Sequence, residues 1–345
     1  MASERLYFMV VDVFTTTPSL GNRLAIVHVP FSDPLSPEQK LSIAKEFNFS
    51  ETVFVHHDRG LKEDELRISI YTITGELPFA GHPTLGTGCH VLRLQADDVG
   101  NKDIPVHVTL ITPAVRVPVT YSPKTGLTSV QVPHSITIHD VTLPVEHITS
   151  LVGIAAGDIS HNSTIEGGGV VVASIVEGMT FALVRMTSLE ALTRAANTGK
   201  VLPKSDLGIR ESGNLLVYVY YATDELVEGQ GREGNRAKIN RLRSRMFFEG
   251  DREDPATGSA ASTLAGFLSL TSYAGLNEEL RYEIAQGVEM GKPSEITVDV
   301  LLKDAGDKKV VDKIWLSGMV TAEVTEGLIT VDPETHKLIP VIGTL

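Results

Sequence analysis

The chain reads as a mixed α/β (α+β) protein made of two related halves, each organised around one special helix. Three observations predict this. Gly81-His82-Pro83-Thr84 runs into LGTGCHVL and Asp254-Pro255-Ala256-Thr257 runs into GSAASTLAGFL, so two similar Gly/Ala-rich segments lie half a chain apart. Short apolar runs of strand character, bounded by turn residues, flank both segments. A length of 345 residues with 42% hydrophobic content is enough for two folded cores.

The elements follow in order. Residues 7–14 form a strand, TTTPSLGN a loop and residues 24–29 a second strand. Ser36, Pro37 and Gln39 give a helix start with capping-box spacing, and Leu41, Ile43, Ala44 and Phe47 supply its apolar residues. In SETVFV, Ser50 and Glu51 stand at the mouth of a strand over 52–55, where a carboxylate can face a cleft. Strands over 66–73, 106–111 and 115–120 complete a first half, residues 1–126. The second half, 127–345, repeats the pattern with strands over 128–132, 170–176, 181–184 and 215–221 and a helix over 189–196. ATDELVEGQGREGNRAK, polar and Gly-containing, reads as a flexible loop over 222–238. Strands over 295–302, 313–316, 320–324 and 328–331 end the chain, the last of them free to return to the first half.

The two special helices suggest a site. The first N–H groups of a helix lack intrahelical partners and carry the positive end of its dipole, which attracts a carboxylate or phosphate. Asp254 is placed as N-cap, Pro255 as first helical residue and Thr257 as a further early hydroxyl; Pro83 likewise starts the first helix after Gly81 and His82. Leu85, Cys89 and Leu92 keep one apolar face, as do Ala260, Leu264 and Phe267 or Leu268. Helical glycine costs about 1 kcal/mol relative to alanine. Gly86, Gly88 and Gly266 therefore imply close approach by surrounding backbone, as when a sheet wraps a buried helix. The competing reading is two ordinary capped core helices.

Composition narrows the function. A formal charge of −13 disfavours nucleic acid as partner, and the run Arg236, Lys238, Arg241, Arg243, Arg245 reads as a solvated face or as lying beside a strand. Cys89, the only cysteine, excludes an intrachain disulfide, two-thiol chemistry and a thiolate metal cluster. The apolar start is too short for a membrane span and is broken by Asp12, so a cytoplasmic protein without a membrane association is the expectation. His56-His57 reads as a strand-end pair, and no metal, organic cofactor or nucleotide fingerprint is implied.

DVFTTTPSLGNRLAIV, NFSETVFV, GELPFAGHPTLGTG, EDPATGSAASTLAGFL and QGVEMGKPSEI resemble, in order, the signature segments of the phenazine-biosynthesis PhzF-like family. That resemblance implies a diaminopimelate epimerase-like fold: two pseudo-symmetric lobes, each a curled, mostly antiparallel or mixed sheet around a central helix, with the active site between them. It implies Glu51 as the catalytic acid/base, with His82 (donating to substrate or adjusting Glu51) and Asp254 as further catalytic residues at the first and second helix ends, and Gly81 and Ser259 beside them as substrate-binding residues. In the related epimerases two cysteines occupy the places matched here by Gly81 and Asp254, so one carboxylate must do most of the proton work.

The expected mechanism is then a suprafacial proton transfer, a double-bond isomerisation of a small carboxylate substrate, similar to that of trans-2,3-dihydro-3-hydroxyanthranilate on the way to phenazines. Burial and Asp254 would raise the Glu51 pKa above about 4.3, and the helix ends would oppose that shift. Each residue also has a plainer role. Asp254 is explained as a cap, His82 by a bond to a backbone carbonyl, and Ser259 as a small filler. Asn22 reads as a turn-former at the cleft edge; Gly258 and Gly287 are assigned to substrate binding, with Gly287 and Gly291 also readable as turns. Arg23 stands where proline commonly follows the GN pair, Lys292 replaces a frequent arginine, and extra length falls near 145–170 and 222–238. A small-acid binding protein without turnover, or an epimerase or lyase using the same single base, stay open as alternatives. Family precedent adds a homodimer.

Overall fold

Alternating β-branched and apolar residues open the chain as β1 (Arg5–Val13), antiparallel to β2 (Asn22–Val29). The structure is a computed structural model that describes residues 5–31, 35–58, 61–99, 103–141, 143–160, 170–223, 226–248, 250, 252–272, 279–306, 308–331 and 338–340. It divides into unit 1, Met1–Gln131 with Ser317–Leu345, and unit 2, Val132–Leu316.

In unit 1, α1 (Pro37–Phe47) carries the chain from β2 to β3 (Glu51–His56), which lies parallel to β2. The capping box forms: the Gln39 N–H donates to Ser36 Oγ, the Ser36 N–H donates to Gln39 Oε1, and Asn48 closes the helix in a left-handed conformation. β4 (Glu65–Tyr71) runs antiparallel to β3 and forms a hairpin with β5 (Glu76–Leu77). Next, α2 (Gly81–Val99) crosses over to β6 (Val106–Ile111), parallel to β4. β7 (Arg116–Tyr121) and β8 (Thr128–Gln131) extend the sheet antiparallel.

Unit 2 contains β9 (Thr137–Ile138), α3 (Val145–Val152), β10 (Val171–Ser174), β11 (Thr180–Arg185), α4 (Leu189–Arg194), β12 (Leu216–Ala222), β13 (Val227–Gln230) and β14 (Arg236–Phe247). These are followed by β15 (Glu253–Asp254), α5 (Gly258–Ser272), β16 (Glu279–Gln286), β17 (Ser294–Asp304) and β18 (Lys309–Gly318), before β19 (Thr325–Val331) rejoins unit 1 antiparallel to β1, with β20 (Leu338–Pro340) beside it. The order of pairing recurs: β11 and β12 are parallel across α4, β12 and β14 antiparallel, β14 and β16 parallel across α5, and β16 and β17 antiparallel. This mixed α+β architecture, mostly sheet, is the predicted class.

Leu85, Cys89 and Leu92 of α2 and Ala260, Leu264 and Phe267 of α5 are buried, as their spacing predicts. The helical glycines do answer a close approach, but by side chains rather than backbone. A Cβ on Gly86 would lie 2.6 Å from Leu24 Cδ2, one on Gly88 2.6 Å from Val119 Cγ1, and one on Gly266 would strike Ile136.

Several local expectations are corrected. Residues 222–238 hold a hairpin, β13 against β14, rather than a loop: Val227 pairs Ile239 and Gln230 pairs Arg236, and Arg236 meets Glu228 at 2.5 Å. Backbone ladder bonds need no apolar pattern, so a polar stretch can still be strand; residues 224–225 lie outside the described set. Residues 320–324 do not form a strand beyond a single bridge, Val13 to Val320, because the Arg93 guanidinium takes the carbonyls of Val320 and Thr321. The second special helix starts at Gly258, so Asp254 is not its N-cap nor Pro255 its first residue; Asp254 is held in β15 opposite Met246. The first helix starts at Gly81, two residues before the expected Pro83, since a proline without N–H is harmless anywhere in the first turn. Helix α3 occupies part of the extra length near 145–170, of which 161–169 lie outside the described residues.

The basic run lies on β14 and is neutralised locally. Arg241 pairs with Glu283, Arg243 with Glu289 and Arg245 with Glu253, at 2.7–3.0 Å. No helix among the described residues is long and apolar enough to cross a membrane, and no group of three or more His, Cys, Asp or Glu among them is arranged to hold a metal ion.

Candidate active site

Strand register decides which face Glu51 occupies. Leu24 on β2 is the partner of Glu51 on β3, and Leu24 reaches α2 where Gly86 leaves room. Paired residues on neighbouring strands share a face, so Glu51 also projects toward α2. There its Oε2 meets Nδ1 of His82, the second residue of that helix, at 2.9 Å. The His82 side chain is 4% exposed and that of Glu51 18%.

Burial pushes the Glu51 carboxyl upward, but the hydrogen bond and charge of His82, and then a hydrogen bond with Ser50, outweigh it and hold Glu51 below the ordinary glutamate range. Asn22 is 3% exposed at the head of β2, and its Oδ1 accepts from Ser50 Oγ at 3.1 Å. It is thus a buried strand residue tied to the neighbour of Glu51 rather than an exposed turn-former. With Nδ1 facing the carboxylate, His82 Nε2 is buried and has no protein partner among the described residues. Such an orphaned ring nitrogen is an expensive feature unless a ligand completes it.

The Arg23 departure has a local cause. Asp12 is fully buried and pairs in register with Arg23, whose Nε donates to Oδ1 at 2.9 Å while the Ser19 N–H donates to Oδ2 at 2.6 Å. The neighbouring backbone is unusual, since Phe14, Ser19 and Gly21 all have positive φ.

Unit 2 carries Asp254, Gly258, Ser259 and Gly287. Asp254 is 7% exposed, and its Oδ2 accepts from Thr257 Oγ1 at 2.5 Å. Thr257 immediately precedes α5, and its N–H donates to Gln286 Oε1 at 3.2 Å. A Cβ on Gly258 would lie 2.5 Å from Leu316 Cδ2, so packing gives this glycine a role apart from any ligand. Ser259 is 8% exposed in the first turn, and its carbonyl accepts from Thr263 Oγ1 at 2.8 Å. Gly287 has φ +73°, and a Cβ on it would lie 2.6 Å from Pro255 O, so it lets the turn after β16 close against the entry to α5.

The structure therefore joins Glu51, His82, Asn22 and the Gly81 helix start within unit 1, and Asp254, Ser259, Gly258 and Gly287 within unit 2. Sequence reasoning missed Gln286, Tyr218 and Ser244, which are fully buried around Asp254. A signal existed for the first. In ELRYEIAQ the inward positions are Leu280, Tyr282, Ile284 and Gln286, and an amide at the end of an apolar alternation needs a specific partner.

A family model described as phenazine biosynthesis-like protein matches residues 11–323. The chain is 31% identical over 296 residues to an uncharacterized isomerase of Pasteurella multocida, covering 85% of this chain and 86% of that protein. It is 30% identical over 321 residues to the trans-2,3-dihydro-3-hydroxyanthranilate isomerase of Pseudomonas aeruginosa, covering 92% and 97%. Among solved structures, a Bacillus anthracis phenazine biosynthesis protein of the PhzF family shares the fold with a TM-score of 0.71 at 22% identity, covering 94% and 99%.

Proposed function

This chain belongs to the phenazine biosynthesis-like PhzC-PhzF family and is an isomerase, and on that premise we propose that it moves a proton and a double bond within a small, cyclic, unsaturated amino or hydroxy acid, with Glu51 as the single acid/base. The observation that carries this reading is the Glu51–His82 pair. His82 keeps the carboxylate ionised, hence basic, before substrate arrives. Substrate that excludes water then raises the proton affinity of Glu51, so that it removes a proton beside the conjugated system and returns it at another carbon. His82 Nε2, without a protein partner among the described residues, is the ring nitrogen left to hydrogen-bond the ligand. Asp254 and Ser259 enter as further substrate-contacting groups on the family resemblance. The relatives named trans-2,3-dihydro-3-hydroxyanthranilate isomerase support that substrate class.

The test is a screen of cyclic unsaturated amino and hydroxy acids in heavy water, parent against Glu51→Gln, read by NMR. The parent should yield the double-bond isomer, with solvent deuterium at the new sp³ carbon to the extent that the Glu51 proton exchanges before its return, and turnover should fall by about 10²–10⁴-fold in the variant. Tight binding without exchange would favour a binding protein, and inversion at one carbon or loss of a group would favour an epimerase or lyase. Undiminished turnover in Glu51→Gln would remove Glu51 from its role.

A further inference from the structure

We propose that Thr257 and Gln286 are positioning residues for Asp254, ending a buried, one-directional chain of hydrogen bonds that holds its Oδ2 as an ionised acceptor. The geometry lies wholly within unit 2. Its functional meaning rests on the reading of Asp254 as a substrate-contacting group.

The direction of the chain follows from which atoms can donate. The Thr257 N–H can only donate, so the Gln286 atom 3.2 Å from it is Oε1. The Asp254 carbonyl can only accept, so the Gln286 atom 2.8 Å from it is Nε2. These two backbone groups fix the amide without ambiguity. The same Nε2 lies 3.1 Å from Thr257 Oγ1 and donates to it. A hydroxyl that accepts there has its one proton left for another partner, and Asp254 Oδ2 stands at 2.5 Å.

The far end obeys the same accounting. Tyr218 OH lies 3.2 Å from Gln286 Oε1 and 2.8 Å from Ser244 Oγ. Oε1 can only accept, so the phenol O–H is the donor to it, and the same O–H faces the Ser244 oxygen, which also accepts. Burial raises the Tyr218 pKa well above its ordinary value, which keeps that proton in place. Ser244, Tyr218 and Gln286 are 0% exposed and Thr257 and Asp254 7%. Burial of the whole set leaves Gln286 fixed by its protein partners, with Nε2 directed at Thr257 Oγ1.

The consequence concerns Asp254. A carboxylate oxygen that receives an O–H is stabilised in its charged form. Asp254 is therefore presented as an anion of fixed orientation, suited to a ligand ammonium or hydroxyl that donates.

The experiment is a ¹³C NMR titration of the full-length protein, with the Asp254 carboxyl assigned by its absence in Asp254→Asn. In Thr257→Val, which keeps shape and removes the donor, the Asp254 midpoint should rise by about one pH unit or more. Thr257→Ser should restore the parent value, and Gln286→Glu, which removes the amide donor and adds a charge, should raise it. An unchanged midpoint in Thr257→Val overturns the proposal, even if the melting temperature falls; so does a shift that Thr257→Ser fails to reverse. Turnover of Asp254→Asn is scored separately. Full activity there would remove Asp254 from the proposed reaction while leaving the titration result standing.

Discussion

His82 Nδ1 and Glu51 Oε2 lie 2.9 Å apart because β3 starts, and α2 starts, at the same end of one sheet. The pair couples the first residue of a strand to the first turn of a helix, and it sets the charge of the carboxylate. In the parent, the acid limb of kcat/KM should fall below pH 4.5, the ordinary glutamate value, because Glu51 is held lower. Replacing His82 with leucine removes the hydrogen bond and leaves burial unopposed, so that limb should move upward by about one unit or more. An unmoved limb in His82→Leu would show that some other group sets it.

A second cluster sits farther along α2. The His28 ring faces His57, with Nδ1 and Nε2 3.0 Å apart, and faces His90 edge-on; His90 Nδ1 meets Glu323 at 3.2 Å, and Tyr7 bonds Glu326 beside His28. Burial, then His90 and His57, push His28 down to about 4; burial also lowers His90, with Glu323 opposing. Folded-state values below the unfolded value of about 6.5 mean that the unfolded chain binds more protons as pH falls. Stability should thus be full above pH 6.5 and decline toward pH 4, by about 1–2 kcal/mol between pH 6.5 and 5. Urea unfolding of the parent and His28→Leu at both pH values checks this, the variant being the flatter.

Arg23 neutralises a carboxylate that has no exposure to water. Arg23→Leu should cost about 2–3 kcal/mol, because Asp12 loses its cation and keeps mainly the Ser19 N–H. Leucine is the replacement rather than proline, since proline would also disturb β2. Asp12→Asn in the same background should recover much of that loss in chemical denaturation. Equal stability of Arg23→Leu and parent would contradict a structural role for the pair.

Gly86→Ala sets two effects against each other. Helix propensity favours alanine by about 1 kcal/mol. The new methyl carbon would lie 2.6 Å from Leu24 Cδ2 and 2.8 Å from Val13 Cγ2, and overpacking of that kind costs about 1–3 kcal/mol. Overpacking should win, and the melting temperature should fall. A rise would mean that the sheet can move away from α2.

The sequence by itself determined the class of the molecule. Local apolar periodicity marked β1, β2, β3 and both special helices, and a cap marked the start of α1, since those signals depend on neighbours a few residues away. The segments GHPT, SETVFV and DPAT singled out Glu51, His82 and Asp254 as candidates through a family resemblance, because such a resemblance is carried by residue type and order. Tertiary structure alone decided what those residues touch. That Glu51 faces His82 depends on the register of β3 against β2; that Asp254 sits in a strand rather than capping α5 depends on pairing with Met246 and on Gln286, thirty-two residues downstream. The hairpin over 222–238 formed through backbone bonds that side-chain patterning does not record. Periodicity reports only which face of an element is apolar, whereas the charge and direction of a buried polar group are set by atoms distant in the chain.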